Sequence, residues 1–264
     1  MNRESIERAT MINLIDLTDH KIIVTGASSG IGRKTAITLS RVGAELILVA
    51  RREEKLAETL NELDGNGHAY YCADLSRIDT IEDLVKTIVA EHGKMDGLVY
   101  AAGVNTSMPL NRFKPEKVQQ VFDINYFGFI EFVRQVCRRG RFNEGMRIVG
   151  VSSVASIRGD KAHLAYSGSK AAMNASVRCI AKEVADKGIC INTVAPAMTK
   201  TEMYASYLNE YGEESGSNLD LLKRQYLGLA ETEDIANTIA FLMSSAARMI
   251  TGLTLPVDGG LTTN

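Results

Sequence analysis

At 264 residues, 45% hydrophobic and 23% charged, the chain has the composition of a globular protein with an apolar core, as one large α/β domain or two small ones. A net charge of −2 provides no general pull toward nucleic acid or an anionic membrane, so neither is an expected partner. The four cysteines, Cys72, Cys137, Cys179 and Cys190, form no Cys-x-x-Cys or His-paired spacing, so no metal site and no disulfide framework is expected.

Residues 1–16 read as an N-terminal extension. They carry Arg3, Glu4, Glu7 and Arg8 and no continuous apolar core, unlike a secretory signal. No run approaches the roughly 18 apolar residues of a membrane span, and the cytoplasm is the expected compartment. From residue 17 to 264, strand-length apolar runs alternate with helical periodicity. The runs are 21–25, 45–50, 68–73, 97–102, 147–152, 189–194 and 252–256. The periodic segments lie near 30–42, 52–63, 78–92, 115–139, 165–187 and 231–244. Continuous β-branched runs separated by helices predict a parallel sheet covered on both faces. The expected fold is α/β, a single doubly wound Rossmann domain of seven strands with ligands at their carboxyl ends. One stretch breaks the rhythm. Residues 198–229 are polar and glycine-dotted, with Met203, Tyr204, Tyr207, Leu208 and Tyr211 among them, and read as a lid or as a docked surface helix pair.

The segment Thr25-Gly26-Ala27-Ser28-Ser29-Gly30-Ile31-Gly32 follows the first strand and opens a helix. Its glycines allow a sharp turn and close approach to a pyrophosphate, held by free N–H groups and the positive end of the helix dipole. The spacing is G-x-x-x-G-x-G, not G-x-G-x-x-G. NAD binders place a carboxylate at the end of the second strand for the ribose 2′-hydroxyl. Here Ala50 stands there, followed by Arg51 and Arg52. Two guanidiniums with no competing acid suit a 2′-phosphate, so the expected cofactor is NADP(H).

Further along, Tyr166-Ser-Gly-Ser-Lys170 sets a phenol and an ammonium on one face of a helix. A cation beside the phenol is expected to lower its pKa toward the range useful for proton transfer. Ser152 and Ser153 end the fifth strand, where neighbours point to opposite faces, so only one faces the cleft. His163, three residues before Tyr166, reads as a substrate contact or as a helix-start histidine.

On these motifs, in this order, the chain resembles a short-chain dehydrogenase/reductase from about residue 17 to 264. The glycine turn matches the family's T-G-x-x-x-G-x-G. Asp74 and Leu75 are similar to its adenine-contacting pair at the end of the third strand. Asn125, Ser153, Tyr166 and Lys170 match its catalytic tetrad, and the 13-residue spacing to Tyr166 selects Ser153 over Ser152. Val257-Asp-Gly-Gly260 resembles its C-terminal signature. The resemblance implies that Tyr166 is the general acid and base, that Ser153 stabilises the substrate oxygen, and that Lys170 lowers the Tyr166 pKa and holds the nicotinamide ribose. Asn125 would position a water behind Lys170. Ala102, Gly103, Pro196 and Thr201 would join Tyr166 and Lys170 around the cofactor. Two departures stand out. Tyr100-Ala101-Ala102-Gly103 replaces the usual Asn-Asn-Ala-Gly, and Pro196-Ala197 replaces Pro-Gly.

The resemblance implies an NADP(H)-dependent enzyme interconverting a small-molecule carbonyl and a secondary alcohol, a ketone or 3-oxoacyl-type reductase. It also implies a homotetramer or homodimer, built through the helices near 115–139 and 165–187. Two readings of other classes use the same fold without turnover: an NADPH-binding sensor and an assembly subunit.

Overall fold

The computed structural model describes residues 15–211 and 222–263. Nearly all of the expected extension and the middle of 198–229 lie outside the described residues. Seven strands form one parallel sheet in the order β3-β2-β1-β4-β5-β6-β7. They are β1 (Lys21–Thr25), β2 (Glu45–Ala50), β3 (Ala69–Cys72), β4 (Met95–Tyr100), β5 (Phe142–Val151), β6 (Cys190–Pro196) and β7 (Thr254–Val257). Between them run α1 (Gly30–Arg41), α2 (Glu53–Leu60), α3 (Ile81–His92), α4 (Pro115–Phe122), α5 (Gly128–Val136), α6 (Ala155–Arg158), α7 (Leu164–Val184), α8 (Glu202–Tyr211) and α9 (Thr232–Met243).

The strand sequences explain the layering. In β1 and β2, Ile23, Ile47 and Val49 point into a core shared with α3, α5 and α7. Their neighbours Ile22, Val24, Leu46 and Leu48 point into a second core shared with α1, α2 and α9. Strands buried on both faces read as unbroken apolar runs, which is why these two were legible to the residue. Pro256 sits in β7, at the sheet's edge, where its missing N–H costs no ladder bond. The strand order reverses between β1 and β4, and this switch point opens a crevice at the carboxyl ends.

Most element ends shift slightly from the expected bounds, as β4, β6, β7, α2, α3 and α7 do, and two differences are larger. β5 begins at Phe142, ahead of residue 147, because Phe142 pairs with Met95 before a register shift ahead of Gly97–Arg147. The helix expected over 115–139 is interrupted. Asp123–Phe127 forms a π-helical turn between α4 and α5, and Asn125 lies at its middle. Such wide turns insert one residue into a helix and often mark functional sites. Among the described residues, no helix is long and apolar enough to cross a membrane.

Candidate functional site

The carboxyl ends of the strands open into a cavity of about 1150 Å³. Pockets for one small ligand span about 300–1,000 Å³, so this one lies just above that range and suits an extended ligand. Every residue expected to contact a cofactor lines it. Gly26, Ser28, Ser29, Gly30, Ile31, Gly32, Arg51, Arg52, Asp74 and Leu75 form one part of the wall, and Ala102, Gly103, Ser153, Tyr166, Lys170, Pro196 and Thr201 the rest. Asn125 is fully buried behind it.

The glycine turn packs its backbone too tightly for side chains at two of its positions. Gly26 has φ +66, and a Cβ there would stand 2.8 Å from the Ala101 carbonyl. A Cβ on Gly32 would stand 2.4 Å from the Gly26 oxygen. α1 starts without a side-chain cap from Ser29 and with no acid in its first turn. Its first N–H groups therefore have no anionic or capping side chain of their own, and the arrangement fits a pyrophosphate.

At the end of β2, Ala50 leaves no carboxylate. Arg52 Nη2 donates to Ser28 Oγ at 3.2 Å, and its Nη1 reaches Glu202 Oε2 of α8 at 3.4 Å. Asp74 Oδ1 accepts from the Ser76 amide at 3.1 Å and the Ser76 hydroxyl at 2.8 Å. Burial pushes the Asp74 carboxyl upward, but the Ser76 bonds, with Arg51 and Arg77 nearby, together hold it below its ordinary value.

Behind the cavity, one amide joins three elements. Asn125 Nδ2 donates to the Val104 carbonyl at 2.9 Å and to Ser169 Oγ at 3.0 Å, and its Oδ1 accepts from the Val104 amide at 2.9 Å. Ser169 Oγ in turn donates to the Tyr166 carbonyl at 2.8 Å. Gly103 fits against this knot, since a Cβ there would stand 3.2 Å from Asn125 Oδ1 and 3.4 Å from Lys170 Nζ. Lys170 is buried and donates to the Val151 carbonyl at 2.7 Å.

Ser153 Oγ accepts from the Ala155 amide at 3.1 Å and hydrogen-bonds Tyr166. Ser152 is buried and sends its hydroxyl inward, within 3.4 Å of Ser156 Oγ and the Lys170 carbonyl.

The expected effect of Lys170 on Tyr166 is not what this arrangement produces. Burial holds the Tyr166 phenol above its ordinary value. The Ser153 hydrogen bond opposes that rise and the Asp160 carboxylate adds to it. The Lys170 Nζ lies 5.9 Å from the phenol ring centroid, is satisfied by a carbonyl, and is itself lowered to about 8 by burial. A phenol held protonated is a proton donor.

The departure at Ala197 is accommodated. Ala197 is not among the residues with positive φ, and its N–H reaches the Val257 carbonyl at 3.4 Å. Thr201 Oγ1 caps the start of α8 by accepting from the Tyr204 amide at 3.1 Å, and its methyl would touch a Cβ on Gly30 at 3.4 Å. In the 198–229 stretch the structure describes α8, whose Met203 and Tyr204 line the cavity. His163 also lines it, beside a 3.8 Å ion pair of Arg158 with Asp160. Sequence reasoning did not single out Ser169, the Val104 peptide or the Val151 carbonyl. Backbone partners carry no residue signature, and Ser169 was read only as a spacer between Tyr166 and Lys170. Among the described residues, no group of three or more His, Cys, Asp or Glu could hold a metal.

Fold and cavity define a doubly wound α/β protein with Ser153 and Tyr166 lining a ligand-sized cavity at the carboxyl ends of its strands. The family model described as enoyl-(acyl carrier protein) reductase matches residues 26–262. The chain is 32% identical to an L-xylulose reductase of Caenorhabditis elegans, across 94% of this chain and 98% of that one. It is 34% identical to a 3-oxoacyl-(acyl-carrier-protein) reductase of Rickettsia bellii, over 94% and 99%. To a glucose 1-dehydrogenase of Gluconobacter oxydans it is 36% identical, over 92% and 91%. A solved short-chain type dehydrogenase/reductase from Mycobacterium ulcerans superposes with a TM-score of 0.86 at 29% identity, covering 94% and 92%. The chain belongs to the short-chain dehydrogenase/reductase family, oxidoreductases that bind a nicotinamide cofactor and act on the carbonyl/alcohol couple.

Burial of Lys170 has a direct readout. In the cofactor-free protein, NMR of the lysine ε-carbons should show one lysine titrating at about 8, and that signal should be missing in Lys170→Met. Ordinary titration of every lysine would contradict the buried placement.

Proposed function

We propose that this protein is an NADP(H)-dependent reductase of ketone or 3-oxoacyl-type substrates, with Asn125, Ser153, Tyr166 and Lys170 as its reacting and supporting groups. The observation that carries the reading is the Ser153–Tyr166 hydroxyl pair facing a dinucleotide-sized cleft with buried Lys170 and Asn125 behind it. A bound nicotinamide supplies the hydride. Tyr166 gives its proton to the substrate oxygen, and a phenol held protonated suits the reducing direction. Ser153 donates a hydrogen bond to the same oxygen as charge develops there. Lys170 and Asn125 would stand at the inner end of the proton route, and Lys170 would hold the nicotinamide ribose. The cytoplasm is the proposed compartment. If Tyr166 is the acid, Tyr166→Phe should lose at least about a hundredfold in kcat while binding NADPH as tightly as the parent. Retained turnover would overturn the assignment.

Preference for NADP(H) rests on Arg51 and Arg52 at a strand end that has no acid. Two charge-assisted hydrogen bonds to a 2′-phosphate predict that Arg51→Ala with Arg52→Ala lowers the NADPH-to-NADH ratio of kcat/KM by at least about tenfold. A parent ratio at or below unity would refute the preference.

We further propose a homotetramer. Phe122, Tyr126 and Phe127 stack edge-on beside α7, and Phe127 remains 40% exposed, an aromatic patch suited to a second copy. Light scattering should report four chains of 28.8 kDa each, and a monomeric mass would exclude the assembly.

A further inference from the structure

The departure at Tyr100 has a structural counterpart at the opposite side of the site. Tyr100 ends β4, and its Cα partners are Thr25 of β1 and Gly150 of β5. Its side chain is fully buried, with its ring edge-on to Phe129 at 5.5 Å and to Phe132 at 6.3 Å. The hydroxyl donates to the Ile124 carbonyl at 2.7 Å. In a regular helix that carbonyl would receive the Gly128 N–H. In the wide turn the Gly128 N–H goes to Asp123 instead.

We propose that Tyr100 is a positioning residue whose buried hydroxyl holds the Asp123–Phe127 turn in register and thereby sets the Asn125 amide against Val104. This rests on the reading of Asn125 as part of the catalytic set. Gly128 keeps this junction clear, because a Cβ there would stand 2.6 Å from the Tyr100 oxygen and equally close to the Leu75 carbonyl oxygen. A Phe would fill the same core space. The hydroxyl therefore needs a reason of its own, since a buried phenol without an acceptor is costly. Full burial also raises the Tyr100 phenol far above its ordinary value, so it remains a donor throughout the working pH range. On the turn's outer side, Tyr126 Oη and Ser176 Oγ are 3.0 Å apart, which leaves the turn tethered at one side when Tyr100 is changed.

The test is Tyr100→Phe. It should lower kcat by about tenfold and leave the KM for NADPH within about twofold of the parent. Amide exchange at Val104, whose N–H is held by Asn125, should quicken by about tenfold. In an Asn125→Ala background the same change should alter kcat by less than about twofold. Phe132→Leu loosens the packing around the ring and keeps the hydroxyl. It should lower the melting temperature without changing kcat or Val104 exchange. Parent-like Val104 exchange in Tyr100→Phe, additive losses in the double variant, or an equal loss of kcat in Phe132→Leu would each overturn the proposal. Parent-like turnover in Asn125→Ala would overturn the underlying reading of Asn125 instead, while the exchange readout still decides the positioning role.

Discussion

A single buried amide sets the geometry on which the rest of the cleft depends. Asn125 presents one acceptor and two donor hydrogens, and the Val104 peptide and the Ser169 hydroxyl use them all. The loop after β4, the turn between α4 and α5, and the face of α7 therefore cannot shift independently. Leaving one such buried group unpaired costs about 1–3 kcal/mol, a large fraction of a domain's net stability. The constraint extends forward through Gly103, whose missing side chain is what lets the loop after β4 pack against both Asn125 and Lys170.

Burial then decides the electrostatics. Lys170 lies buried at the cavity wall with the Val151 carbonyl as its partner, and desolvation lowers its pKa. The same burial raises Tyr166. Proximity in sequence suggested attraction between cation and phenolate. In the folded protein the loss of water by both groups outweighs that attraction. A neutral phenol hydrogen-bonded by a serine at the cavity is matched to donating a proton, and the resting site is biased accordingly.

Legibility followed burial as well. β1 and β2 were readable to the residue because both faces of each strand are apolar, and Gly26 and Arg51 end the two runs. The start of β5 was hidden because Asn143, Glu144 and Gly145 break the apolar run, although they continue the strand. Periodicity could not reveal the wide turn, because one inserted residue hardly changes the apolar pattern of a long amphipathic segment. The four principal site residues and the glycine turn were recognisable as motifs. Their partners were not, because Val104 and Val151 act through backbone atoms. In the sequence, Tyr100 stood out only as a replacement for the usual Asn. Only the fold reveals that its hydroxyl crosses to Ile124.

The central claim is that this cleft transfers hydride to a carbonyl carbon while Tyr166 protonates the oxygen. The most direct measurement is mass spectrometry of products formed with NADPH deuterated at the transferring position of the nicotinamide C4, offered with 3-oxoacyl thioesters, ketoses and simple ketones. The account predicts one deuterium at the carbinol carbon of the product from at least one of these classes. Tight NADPH binding with no labelled alcohol from any of them would contradict it.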